Sequence, residues 1–114
     1  MDPLEPEPTQ PAVAAPTDAW LVVSGGHRSG TRFPLSGELV TAGRHPDSDI
    51  FLDDITVSRR HVEIRRVAGS RTIADVGSLN GTYLNGERID EGVLGDGDEV
   101  QIGKFKLVYE VASG

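Results

Sequence analysis

A chain of 114 residues has room for one domain around a single modest core. Its net charge of −7 withholds the basic footprint that bulk nucleic-acid binding needs, and the lack of cysteine excludes disulfides and thiolate zinc sites. No run approaches the ~18 apolar residues of a spanning helix, and Met1-Asp2-Pro3-Leu4-Glu5 has neither region of a secretory signal, so no membrane partner and a cytoplasmic address are expected.

Residues 1–19 hold five of the seven prolines, are rich in Ala and Glu, and show no hydrophobic period. They read as a disordered, polyproline-like tail. Asp2, Glu5, Glu7 and Asp18 place four of the seven net negative charges there. Order is expected from Trp20-Leu21-Val22-Val23 onward, giving one domain over 20–111. Across that span short apolar runs recur between turn residues, the pattern of an all-β sandwich of about ten or eleven short strands. Strands are expected at 20–23, 31–35, 39–43, 50–52, 61–66, 71–75, 83–84, 87–88, 98–102 and 105–110. Val62 and Ile64 alternate with Glu63 and Arg65, so that strand has one wet face. Asn85-Gly86 between two short runs is a hairpin signal. No segment carries a sustained 3.6-residue apolar stripe, so little or no helix is expected.

Three polar clusters fall where apolar runs give way to turns: Gly43-Arg44, Ser58-Arg59-Arg60-His61, and Ser78-Leu79-Asn80-Gly81-Thr82. Arg44 supplies a planar fork of donors suited to phosphate oxygens. Ser58 offers a hydroxyl and a backbone N–H from one loop. Asn80 offers both a donor and an acceptor, as reading a peptide backbone requires. Each residue also has a plainer role available: a solvated arginine at a strand end, a turn-capping serine, an Asn-Gly turn. The ordered set points to recognition, and locally basic residues can capture one phosphate on an acidic chain because screening acts over ~8 Å.

The same clusters resemble the forkhead-associated domain, a phosphothreonine-binding β-sandwich. The family's Gly-Arg, Ser-x-x-His and Asn-Gly follow in order here, with Ser58 14 residues after Arg44 and Asn80 19 residues after His61. The resemblance implies phosphopeptide contacts from Arg44, Ser58, Arg59, Ser78 and Asn80, with Gly43, His61 and Gly81 supporting the loops. Leu79 departs from members with a polar residue there, and Asn85 in the neighbouring hairpin is a further candidate contact. Ala42–Asp54, Asp75–Thr82 and Gly97–Phe105 resemble a narrower group, small actinobacterial regulators of 2-oxoglutarate dehydrogenase and glutamate metabolism. This implies binding to metabolic enzymes, 2-oxoglutarate dehydrogenase or glutamate dehydrogenase, under the control of a Ser/Thr kinase. In that group a phosphorylated tail threonine is captured by the domain. Residues 1–19 lack the group's Glu-Thr-Thr-Ser motif, so Thr9 and Thr17 are the phosphorylation candidates.

Other chemistry finds little support. Ser58 and His61 lack a nucleophile elbow, so no enzyme is expected. His27, His45 and His61 have no metal-ligand spacing, and no cofactor or metal is expected. Asp47, Asp49, Asp53 and Asp54 fail the EF-hand pattern, with Leu52 and Ser58 at its glycine and glutamate positions, and read as solvated loop carboxylates. The competing expectation is a constitutive interaction scaffold whose binding ignores phosphate.

Overall fold

The computed structural model describes residues 18–25 and 28–112. The expected tail up to Thr17, including Thr9, lies outside the described residues, as does His27.

Eleven strands follow in order: β1 (Ala19–Val23), β2 (Arg32–Pro34), β3 (Leu39–Gly43), β4 (Ile50–Phe51), β5 (Val62–Val67), β6 (Ser70–Asp75), β7 (Thr82–Leu84), β8 (Glu87–Ile89), β9 (Glu91–Leu94), β10 (Glu99–Ile102) and β11 (Phe105–Val111). They form a six-stranded sheet in the order β2-β1-β11-β10-β7-β8 and a five-stranded sheet in the order β4-β3-β5-β6-β9. Pairing is antiparallel except between β3 and β4. No helix among the described residues is long and apolar enough to cross a membrane.

Period-2 patterning builds the core. Ala19, Leu21 and Val23 of β1 are buried, as are Val40 and Ala42 of β3, Val62 and Ile64 of β5, and Phe105, Leu107 and Tyr109 of β11. Their partners in alternation face solvent, so two one-sided sheets close on each other.

The structure differs from the sequence expectation in two places. Order begins before Trp20: Ala19 is fully buried opposite Val111, and Asp18 pairs with Arg71 at 2.8 Å. β9 was not expected, because Glu91-Gly92-Val93-Leu94 has no alternation and contains a glycine, which strands disfavour. Pairing with β6 makes it a strand, in the register Ala74↔Glu91 through Arg71↔Leu94.

The register separates two poles. Gly43, Val62, Asp75, Thr82 and the Ile102–Phe105 turn lie at one end. Ala19, Val111 and Arg71 lie at the other.

Candidate functional site

All three polar clusters meet at the first pole. Gly43 ends β3 against the segment Ser58–Arg59, with Arg44 N–H donating to Ser58 O at 2.9 Å and His45 N–H to Arg59 O at 3.1 Å. A Cβ on residue 43 would lie 2.2 Å from Arg59 O, so only glycine permits this approach. Arg44 Nε donates to Val57 O at 3.0 Å, which fixes the guanidinium by its inner edge. Its two terminal nitrogens have no acceptor among the described residues.

His61, fully buried, ties two clusters together. Its Nδ1 accepts the Ser58 N–H at 3.1 Å, so the ring proton sits on Nε2 and is donated to Gly81 O at 2.9 Å. The imidazole thus bridges the Ser58 and Gly81 loops. Ser58 Oγ accepts the Leu79 N–H at 2.9 Å, while its own proton has no acceptor among the described residues. The hydroxyl is oriented by one loop and left able to donate outward.

The third cluster is organised by Asp75. Its carboxylate accepts N–H bonds from Gly77 and Ser78, each at 2.9 Å, the Thr82 hydroxyl at 2.7 Å, and the Ser78 hydroxyl. Burial alone would raise its pKa, but the hydroxyl bonds from Ser78 and Thr82 and the two N–H bonds hold it down at about 2. Ser78 Oγ also accepts the Gly81 N–H at 2.9 Å. Ser78 therefore differs from the expected phosphate donor: its proton is committed to Asp75, and it shapes the loop. Gly81 has φ +87°, and a Cβ there would lie 2.8 Å from Arg88 Nε.

Asn80 Nδ2 donates to Thr56 O at 2.9 Å, leaving its second amide hydrogen and Oδ1 for a ligand. Arg59 and Arg60 are exposed beside these donors. Asn85, expected as a possible contact, instead accepts the Glu99 N–H at 2.9 Å and donates to Asp98 at 3.1 Å, bracing its own hairpin. Two of the loop carboxylates read as solvated are also braces. Asp49 accepts the N–H and hydroxyl of Thr41, and Asp54 accepts both from Thr56 and pairs with Lys104 at 3.0 Å.

Sequence reasoning missed Asp75, Thr56 and Lys104 as members of the site's framework. Asp75-x-x-Ser78 is a legible loop-capping signal in hindsight, since an Asp or Asn side chain binds backbone two or three residues on. Thr56 and Lys104 carry no local signal, because 48 residues separate them.

Comparison with known proteins follows the same lines. The FHA domain family model matches residues 40–103, which contain Arg44, Ser58, His61, Asp75 and Asn80 and end one residue before Lys104. The glycogen accumulation regulator GarA of Mycolicibacterium smegmatis is 62% identical over 91 residues, covering 80% of this chain and 58% of that protein. The oxoglutarate dehydrogenase inhibitor of Corynebacterium diphtheriae is 63% identical over 89 residues, covering 78% of this chain and 62% of its own. This chain thus spans about six tenths of the length of these relatives. The structure of Mycobacterium tuberculosis EmbR in complex with a low-affinity phosphopeptide matches with a TM-score of 0.78 at 32% identity, over 86% of this chain and 25% of that one. With its sandwich, its ordered motifs and these relatives in agreement, the chain belongs to the forkhead-associated (FHA) domain family.

Proposed function

We propose that the protein is a phosphothreonine-dependent binding module, acting in Ser/Thr-kinase signalling and regulating 2-oxoglutarate dehydrogenase and glutamate metabolism by binding enzymes. One observation carries the reading. Arg44, Ser58 and Asn80 converge at one pole, each held by a backbone contact and each keeping a donor for a ligand. Exposed Arg59 adds a second cation beside that pole. Clustered arginines are a recurring device for phospho-motif recognition.

The energetics suit a reversible reader. Phosphothreonine carries about −1.5 to −2 charges, and each charge-assisted hydrogen bond contributes roughly 1.5–3 kcal/mol. Three such bonds supply roughly 4.5–9 kcal/mol before association costs, so the net of about −8 kcal/mol for micromolar binding also draws on contacts to the flanking peptide. The role is recognition without catalysis, in the cytoplasm where kinase and metabolic enzymes are found. The relatives' names, a glycogen accumulation regulator and an oxoglutarate dehydrogenase inhibitor, support the metabolic assignment, while glutamate dehydrogenase as a further partner rests on the sequence resemblance alone.

Self-capture of a phosphorylated tail is restricted by the two poles. Asp18, which follows Thr17 in the sequence, lies at the pole opposite the loops, about 20 Å away along β11. Thr9, nine residues before Asp18, has an extended reach of about 30 Å and is the candidate for intramolecular capture.

The test titrates phosphothreonine, phosphoserine and unphosphorylated peptides against wild type, Arg44→Ala, Ser58→Ala and Asn80→Ala. A phosphothreonine preference lost in all three variants is expected. Equal binding of all peptides by all proteins would establish the constitutive scaffold instead. Failure of the immobilised wild-type protein to retain purified 2-oxoglutarate dehydrogenase or glutamate dehydrogenase would remove the metabolic assignment.

A further inference from the structure

Thr56 is the meeting point of three loops at the recognition pole. Its carbonyl accepts Asn80 Nδ2 at 2.9 Å. Its Oγ1 accepts the Lys104 N–H at 2.9 Å and donates to Asp54. Asp54 in turn accepts the Thr56 N–H at 2.9 Å and pairs with Lys104 Nζ at 3.0 Å. Gly103, at φ +59°, lies so close that a Cβ there would sit 2.6 Å from Thr56 Oγ1 and 2.8 Å from Thr56 O. The β10–β11 turn is therefore pressed onto Thr56 and Val57.

We propose that Thr56, clamped by Asp54 and the Gly103–Lys104 turn, is a positioning residue that holds the Asn80 carboxamide ready to read a peptide backbone. This rests on the recognition role given to Asn80 above. The physical reason is preorganisation. Asn80 is an exposed side chain on a turn, and without an anchor its carboxamide rotates freely and must be ordered when a ligand arrives. One amide hydrogen bonded to Thr56 O fixes that rotation beforehand and decides where Oδ1 points. The anchor works only if Thr56 O is itself fixed. Its own side chain and N–H are tied to Asp54, and Asp54 is tied to Lys104. The hydrogen bonds from the Thr56 hydroxyl and N–H, with the Lys104 ammonium beside them, hold the Asp54 carboxyl down at about 2, so the clamp stays charged at neutral pH. A turn that presents no ligand-binding side chain of its own would in this way set the affinity of the site.

The experiment is a double-mutant cycle with a phosphothreonine peptide selected from a degenerate library on the wild type. Thr56→Val keeps the shape and removes the hydroxyl, and is expected to weaken binding ~5-fold, the cost of ordering one side chain. Asn80→Ala is expected to weaken it more, and the double variant no further than Asn80→Ala alone. Lys104→Gln, which keeps its backbone donor but loses the ammonium facing Asp54, weakens binding in the same direction and less. A second readout needs no ligand. The side-chain NH2 resonances of Asn80 in the peptide-free protein shift and exchange faster with solvent in Thr56→Val. Additive losses in the cycle, or an unmoved Asn80 NH2 pair, overturn the proposal. A wild type that binds no phosphothreonine peptide overturns the recognition reading, and the NH2 resonances then decide the positioning role by themselves.

Discussion

His61 contributes more to the site's geometry than its buried position suggests. It fills the space between two loops and satisfies the Ser58 N–H and the Gly81 carbonyl at once. His61→Ala removes both bonds and leaves a cavity, so a loss of ~2–4 kcal/mol in urea unfolding is expected, together with weaker phosphopeptide binding as Ser58 loses its support. Phosphopeptide affinity within two-fold of wild type would show that Ser58 is held without it. Gly43 acts by absence. Gly43→Ala places a methyl group 2.2 Å from Arg59 O, and neither atom belongs to a side chain that can swing away. The Ser58–Arg59 segment must shift, so affinity is expected to fall by roughly tenfold or more while stability falls by ~1–3 kcal/mol. Calorimetric titration beside thermal unfolding separates the two, and full affinity in Gly43→Ala would refute the tight packing. The motif residues were legible in the sequence because their chemistry is local. The reason position 43 must be glycine was not, since it lies 16 residues away at Arg59.

Ten of the eleven strands, and the loops between them, were readable from alternation and turn residues, because one-sided sheets impose a period of two. β9 escaped because its partner β6, not its own composition, makes it a strand. The same holds for the Asp75–Thr82 loop. The family resemblance implied Ser78 as a phosphopeptide contact, whereas Asp75 gathers Ser78, Thr82 and two backbone N–H groups inward. This has a pH signature whose sign is fixed. The Asp75 carboxyl sits at about 2 in the folded protein, below the ordinary ~3.9 of an unfolded chain. Its stabilisation is therefore fully present above about pH 4 and is lost as pH falls towards 2. Asp75→Asn is expected to be less stable than wild type at neutral pH, with the gap closing across that window. The other acid-sensitive carboxylates, Asp18 and Asp54, are common to both proteins and cancel in the difference. Urea unfolding at steps between pH 6 and 2 checks it, and a constant gap would mean that the loop is not held by the charge.

At the scale of the whole molecule, the chain's −7 charge and the proposed phosphate-binding pole are compatible because Asp54 and Asp75, which lie among its loops, are engaged within the fold. Asp75 faces inward, Asp54 faces Lys104, and Arg44 and Arg59 have no carboxylate partner within the described residues. The opposite pole is closed by a different charge arrangement. Arg71 of β6 points into the interior, with its side chain 4% exposed, and bonds Leu35 O at 2.6 Å and Asp18 at 2.8 Å. Asp18 enters β1 of the other sheet, and the Arg71 hydrogen bond lowers its pKa despite some opposing desolvation. The pair thus fastens the two sheets where the described chain begins, which is why order extends back past Trp20. Composition suggested a tail there; the ion pair, 53 residues apart in sequence, supplies the reason that Asp18 belongs to the fold. Asp18→Asn leaves the Arg71 guanidinium buried with a weaker partner. Because Asp18 is itself 52% exposed, water screens the interaction, and the expected cost is about 1 kcal/mol instead of the several typical of a fully buried pair. Adding ~1 M salt should shrink that difference, since the Debye length falls to ~3 Å. Phosphothreonine-peptide affinity should not change, because the substitution lies at the far end of β1 and β11 from the recognition loops. A variant that lost affinity along with stability would mean that the sandwich transmits strain between its poles, and that the loops are not held by their own hydrogen bonds alone.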